Sequence, residues 1–211
     1  MDMRAAINVV EGVDELAAAV QAVADYILHN DPSGLEAAIP VIRESGYREV
    51  VRQTTFYRAL FQEITPEEQA QFATLGELFA VIEAQGDRFE MGGLQGFSCT
   101  LEGVSQFAYS SQHMAVLHGV PLHDTSAPLE AFRDICIVYT VEAPADAVML
   151  TMQGLKAFVE HVPQGPARRA LDTALNDIYD GYGSDDEAII DTSKGVRITG
   201  IHLFDNGEFL D

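Results

Sequence analysis

Apolar residues follow a helical period through the first 86 residues and a mixed pattern beyond them. In the run from residue 14 to residue 29 they recur every three to four positions, at Leu16, Val20, Val23 and Ile27. That spacing places the side chains on one face of a helix, which can be buried while the opposite face stays in water. The first part of the chain therefore predicts amphipathic helices, and the second part a mixture of helices and strands.

Two capping signals divide the first part. Ser33 with Glu36, and Thr65 with Glu68, have the spacing of a capping box, in which each side chain bonds a backbone N–H that the first turn leaves unpaired. Pro66 strengthens the second signal, because proline is favoured at the first helical position. Together with the periodicity, these signals predict four helices, which cover residues 14–29, 33–45, 47–64 and 66–86.

The later part contains one clear strand and two candidate hairpins. Residues 135–141 form an apolar, β-branched run of the length of a buried strand. Asn206-Gly207 favours a type I′ turn and predicts a hairpin across residues 195–210, while Gly92-Gly93 favours a turn between residues 88–91 and 94–101. Helical spacing predicts helices at residues 104–118, 146–161 and 166–179.

These elements indicate one α+β domain rather than two separate ones. The sequence has no repeat and no abrupt change of composition that would mark a linker. We expect a helix-dominated single domain, with a helical part at 12–86 and a mixed part at 87–211 that carries a small, mostly antiparallel sheet in the C-terminal half.

A group of histidines is the first candidate for chemistry. His113, His118 and His123 are followed by Asp124, and imidazole with carboxylate suits zinc or iron. His113 and His118 are five residues apart, however, which places them about 140° apart around a helix rather than on one face. The sequence predicts no bound metal or cofactor here, and a hydrolase or metal-assisted enzyme centred on this region remains the alternative function.

Cysteine and glycine motifs favour structural roles. Cys99 lacks the positive surroundings that activate a thiolate, since no Lys or Arg lies between Arg88 and Arg133. Together with Cys136 it makes no disulfide framework, and we expect both to remain thiols. The glycines around Gly92 lack the lysine of a phosphate-binding loop and are expected to serve turns.

Four arginines within sixteen positions form a basic group, namely Arg43, Arg48, Arg52 and Arg58. Arg48 and Arg52 have the spacing of one helix face and would suit a carboxylate or phosphate ligand. Glu44 precedes Arg48 by four residues, and an ion pair within a helix explains the arrangement without a ligand. We favour the ion pair.

Negative charge departs most from an average composition, with 33 acidic against 12 basic residues and a net charge of −21. Two stretches contain acids and no base. The first stretch carries Glu63, Glu67, Glu68, Glu77, Glu83 and Asp87, and the second carries Asp172, Asp177, Asp180, Asp185, Asp186, Glu187 and Asp191. We expect the second stretch to include a solvated acidic loop at residues 185–187 and to bind a partner through Asp177, Asp180, Asp185, Asp186, Glu187 and Asp191. A habit of the host proteome would explain the bias equally well.

The charge predicts a binding protein that covers a basic surface of another protein, as an inhibitor, an immunity-type protein or a nucleic-acid mimic. Nucleic acids and anionic membranes are disfavoured as ligands, because like charges repel. The sequence has no apolar run of membrane-spanning length, and its first residues contain acids where a signal peptide is apolar. We expect a cytoplasmic protein, and the sequence makes no prediction of its oligomeric state.

Overall fold

A computed structural model describes residues 12–29, 31–48, 53–89, 91–110, 124–182, 186–205 and 208–210. Seven α-helices occur in these ranges: Val13–His29 (α1), Leu35–Glu44 (α2), Pro66–Gln71 (α3), Leu75–Glu83 (α4), Leu101–Ser110 (α5), Met152–Glu160 (α6) and Pro166–Tyr182 (α7). The strands are Thr55–Glu63 (β1), Leu94–Ser98 (β2), Asp134–Glu142 (β3), Val148–Thr151 (β4), Glu187–Asp191 (β5), Arg197–Asp205 (β6) and Glu208–Leu210 (β7).

The α+β class with antiparallel pairing is confirmed. Each strand pair whose register is described is antiparallel, and the strands other than β1 follow residue 93. The chain divides into two compact units. Unit 1 comprises residues 1–53, 92–96 and 145–192, and unit 2 comprises residues 54–91, 97–144 and 193–211. No helix among the described residues is both long enough and apolar enough to cross a membrane.

Unit 1 packs helices against a short sheet in which β5 lies between β4 and β2. Its core joins the apolar faces of α1, α2, α6 and α7 to β4 and β5. On α1 the residues Leu16, Val20 and Val23 are buried, as the helical spacing predicts. Burying such side chains contributes roughly 1.5–3 kcal/mol each.

The end strand of this sheet, β4, is covered by side chains from α2 and the residues that follow it. Arg43 donates a hydrogen bond to the carbonyl of Val148 at 3.3 Å, and the Tyr47 hydroxyl accepts one from the N–H of Thr151 at 3.2 Å. Both backbone groups are thereby occupied at an edge to which a further strand would otherwise add.

Unit 2 is built around β1, β3 and β6. β1 pairs with β3 along its whole length, from Thr55 opposite Glu142 to Glu63 opposite Asp134. One cluster joins α4 to Ile135, Ile137 and Leu203 of the sheet. A smaller cluster joins Val104 of α5 to the alternate residues Cys136 and Val138. Because both faces contact apolar residues, the strands are apolar on both sides.

Two segments that the sequence predicts as helices are strands. Residues 55–63 form β1 and residues 148–151 form β4, so the expected helix of 146–161 begins only at Met152, capped by Thr151. In β1, apolar residues such as Tyr57, Leu60 and Phe61 occur on both faces of the strand. Their separations of three and four positions are also those of one face of a helix. Pairing with β3, which lies far away in the sequence, decides the outcome.

The glycine pair does not join a hairpin. Gly92 and Gly93 have φ of +73° and +67°, as their predicted turn requires. The strand after them, β2, pairs with β1, whereas Arg88 forms an isolated bridge with Arg197. The predicted hairpin of residues 88–101 is therefore wrong, although Leu94–Ser98 is a strand.

Of the two capping boxes, one is confirmed. Thr65 Oγ1 accepts from the N–H of Glu68 at 3.2 Å, and Glu68 accepts from the N–H of Thr65 at 2.8 Å. Before α2 the N-cap is instead Gly34, with φ +84° and no side-chain cap. The helix predicted for 66–86 is divided into α3 and α4, because Phe72 is extended and Thr74 caps a new start.

The remaining expectations hold where the structure describes them. β3 contains the predicted strand, α7 contains the predicted helix of 166–179, and β6 pairs with β7 as the predicted terminal hairpin. α5 begins three residues before the predicted helix of 104–118 and is described to Ser110.

Candidate functional site

The histidine region is the first candidate that the sequence names. His113, His118 and His123 lie outside the described residues. Asp124 is exposed, and its Oδ1 accepts hydrogen bonds from the N–H of Ser126 at 3.2 Å and from its hydroxyl at 2.6 Å. That carboxylate closes a local turn. No group of three potential metal ligands occurs within the described ranges.

The two cysteines lie apart in unit 2. Ser98, next to Cys99, pairs with Tyr57 on β1, whereas Cys136 pairs with Phe61 on the same strand. Tyr57 and Phe61 are four positions apart, about 13 Å along a strand, which exceeds the roughly 7 Å between Cα atoms that a disulfide tolerates. Both cysteines are free thiols, and Cys136 is fully buried.

The arginine group has structural contacts. The predicted intrahelical pair of Glu44 and Arg48 is wrong, because α2 ends at Glu44. Arg48 Nη1 instead donates to the carbonyl of Tyr47 at 2.7 Å, and the Arg58 guanidinium lies 5.7 Å from the ring centre of Phe97. Arg52 lies outside the described residues. The described contacts thus tie these arginines to the backbone or to an aromatic ring.

Among the described residues, part of the second acidic stretch, in unit 1, is withdrawn from solvent. Asp172 is paired with Arg168 at 2.6 Å. Of the predicted partner-binding residues, Asp177 and Asp180 lie in α7, Asp186 and Asp191 are half-buried, Glu187 is buried and Asp185 lies outside the described residues. The expectation of a solvated loop is wrong at Glu187, because this residue begins strand β5.

Glu187 has an unusual environment for a carboxyl group. It is 8% exposed, and its Oε1 forms no hydrogen bond among the described residues. Burial raises the pKa of this carboxyl from 4.5 to about 7, because the charged form loses its hydration. Sequence reasoning missed this feature. The available signal was the apolar run Ala188-Ile189-Ile190, which directly follows the glutamate.

The first acidic stretch, in unit 2, presents its carboxylates to solvent. Its exposed members are Glu63, Glu67, Glu77, Glu83 and Asp87, whereas Glu68 is half-buried. Glu68 belongs to the cap of α3, and Glu77 accepts a hydrogen bond from the N–H of Ala73 at 2.7 Å. We call Glu63, Glu67 and Glu83 the exposed acidic set. Among the described residues, no basic side chain forms an ion pair with any of the three.

No family model matches this chain, and no curated protein or solved structure is significantly similar to it. Among the described residues, the buried Glu187 and the exposed acidic set depart from ordinary structural roles.

Proposed function

We propose that this protein binds and covers a basic surface of another protein, as an inhibitor, an immunity-type protein or a mimic of nucleic acid. The observation that supports the proposal is the exposed acidic set of unit 2, within a chain of net charge −21. The proposal includes a cytoplasmic location and excludes nucleic acid as the ligand.

Charge repulsion within the free protein supports this function. Twelve basic residues cannot neutralise 33 acidic ones, so the free protein repels itself. A basic partner relieves that repulsion, whereas an anionic polymer or membrane increases it. Electrostatic attraction between oppositely charged proteins also accelerates their encounter by about ten- to a thousandfold at low salt.

The backbone around the acidic set is held by local hydrogen bonds. The capping box of Thr65 and Glu68 begins α3, and Gln62 donates to Glu68 at 2.8 Å. Thr74 caps α4 by accepting from the N–H of Glu77 at 3.3 Å. Elements that are ordered before binding lose less entropy on association, which favours affinity.

Charge reversal tests the proposal. The full chain is immobilised and incubated with lysate of its host at low salt, and retained proteins are identified and purified for kinetic measurement. Association of a basic protein with Glu63→Lys/Glu67→Lys/Glu83→Lys is expected to be slower by about tenfold, with a smaller effect on dissociation. Salt is expected to slow association with the unaltered protein strongly.

A matched variant separates the effect of the exposed acidic set from that of total charge. Glu15, Glu44 and Glu160 are exposed glutamates of unit 1, and their replacement by lysine changes the net charge equally. We expect this control to bind the partner at close to the original rate. Equal slowing by both variants assigns the effect to net charge alone and contradicts a binding role for the exposed acidic set. Recovery of no basic protein contradicts the proposed function itself.

A further inference from the structure

The buried carboxyl of Glu187 belongs to β5, the strand between β4 and β2 in unit 1. In a strand, alternate residues share a face, so Glu187 lies on the same face as Ile189, a member of the core of unit 1. Ala188 and Ile190, on the opposite face, are buried as well. The carboxyl group is thus at the first position of a strand whose next three residues are apolar and buried.

The elements in closest contact with β5 are β4, β2 and α6, and none of them offers this carboxyl a described charge partner. The strands β4 and β2 contain no titratable side chain. Helix α6 carries Lys156 and Glu160, and both are exposed. On β5 itself, Asp191 is four residues away, about 13 Å along the strand. Asp186 precedes Glu187 and lies on the alternate side.

A carboxyl group in such a position is tolerated when neutral and costly when charged. The neutral form has no net charge to desolvate, whereas the carboxylate needs water, a donor or a cation. The raised pKa of Glu187 agrees with the geometry, since it places the change of charge near neutral pH.

We propose that Glu187 is a pH-sensitive switch, and that its ionisation loosens β5 from the core of unit 1. β5 lies between β4 and β2, so its release requires both neighbouring ladders to open. Unit 2 has its own core, so its strands are expected to respond less. The switch does not depend on the proposed binding function, because the exposed acidic set belongs to unit 2.

The direction in which stability changes with pH follows from proton linkage. The folded state holds the Glu187 proton more tightly than the unfolded state, in which the pKa is 4.5. The stability due to the neutral carboxyl is fully present below pH 4.5 and is lost as pH rises through about 7. Over the range from pH 5.5 to pH 8.0, the opening equilibrium of β5 is expected to rise about tenfold or more.

Hydrogen exchange of the full chain tests the switch. Exchange is measured by mass spectrometry at pH 5.5 and pH 8.0 and corrected for the intrinsic effect of pH on exchange. Peptides from β4 and β5 are expected to lose protection at pH 8.0, while peptides from β1 and β3 change less. Glu187→Gln is expected to abolish the difference, and Glu160→Gln, an exposed control on α6, is expected to retain it.

Two outcomes contradict the switch. One is a corrected exchange rate of β5 that does not change with pH, and the other is an equal change in Glu187→Gln. If the buried amide of that variant prevents folding, Glu187→Met supplies an apolar side chain of similar length, with the same expectation of pH-independent exchange.

Discussion

At the scale of single residues, the buried threonines of unit 1 have hydrogen-bonded side chains. Thr151 Oγ1 accepts from the N–H of Gly154 at 3.0 Å, and Thr192 Oγ1 donates to the carbonyl of Gly93 at 3.2 Å. Glu187 is buried in the same unit, and its Oε1 forms no such bond with the residues that the structure describes. A buried polar group without a hydrogen bond costs about 1–3 kcal/mol of stability.

The contribution of one such hydrogen bond to stability can be measured by removing the Tyr47 hydroxyl. In Tyr47→Phe the N–H of Thr151 loses its acceptor while it remains buried. The free energy of unfolding is expected to fall by about 1–3 kcal/mol. Urea denaturation measures this, with Tyr57→Phe, a half-buried tyrosine of unit 2, as the control. A loss no greater than that of the control contradicts the importance of this bond.

The two thiols are expected to differ in reactivity. Burial raises the pKa of Cys136 to about 12, and its side chain is inaccessible, whereas Cys99 is partly exposed. Because the thiolate is the reactive form, a thiol reagent at pH 8 should label Cys99 alone in the native protein and both residues in denaturant. Mass spectrometry gives the stoichiometry. Rapid native labelling of Cys136 contradicts its burial.

At the scale of secondary-structure elements, the two predicted capping boxes differ in their hydrogen bonds. Thr65 and Glu68 form the reciprocal bonds, but Ser33 and Glu36 do not, because Gly34 is the N-cap of α2. The Ser33 N–H instead donates to Asp31 Oδ1 at 2.9 Å. The sequence spacing is the same, and the backbone conformation of the preceding turn distinguishes the two.

Alanine substitutions measure how much each of the two residues, Thr65 and Ser33, contributes to stability. Thr65→Ala removes the acceptor of the Glu68 N–H and is expected to lower the free energy of unfolding by about 1 kcal/mol. Ser33→Ala leaves the backbone bond to Asp31 in place, so its effect is expected to stay within about 0.5 kcal/mol. Chemical denaturation of both variants checks the pair, and equal losses contradict the assigned caps.

At the scale of the whole molecule, two properties matter: how the chain connects the two units, and its net charge. The chain passes between the two compact units five times, so neither unit is one continuous segment. The helical part expected at 12–86 does not coincide with either unit, because it contains α1 and α2 of unit 1 together with β1, α3 and α4 of unit 2. A single cooperative domain stays a prediction.

Self-repulsion is expected to make the stability of this protein depend on salt. At 0.01 M ionic strength charges interact over about 30 Å, and at 1 M over about 3 Å. Added NaCl should therefore raise the urea midpoint of unfolding, since a net charge of −21 opposes compaction. The Glu63→Lys/Glu67→Lys/Glu83→Lys variant replaces three negative charges by three positive ones, which reduces the net charge from −21 by six units, and it should show a smaller rise. An equal rise in both proteins indicates an effect of salt on apolar burial instead.

The sequence by itself determined the features that depend on neighbouring residues. The buried face of α1, the capping box of Thr65, the strand β3 and the β6–β7 hairpin each follow from side chains a few positions apart. The excess of acids and its two stretches are likewise properties of the sequence alone.

Only the tertiary structure decided β1, β4 and the burial of Glu187. β1 and β4 are strands because distant segments supply their hydrogen-bonding partners, and an apolar run is compatible with helix or strand until those partners are known. Among the acids, Glu63, Glu67 and Glu83 are exposed while Glu187 is buried. Exposure depends on which residues pack above a side chain, and such contacts join residues far apart in the chain.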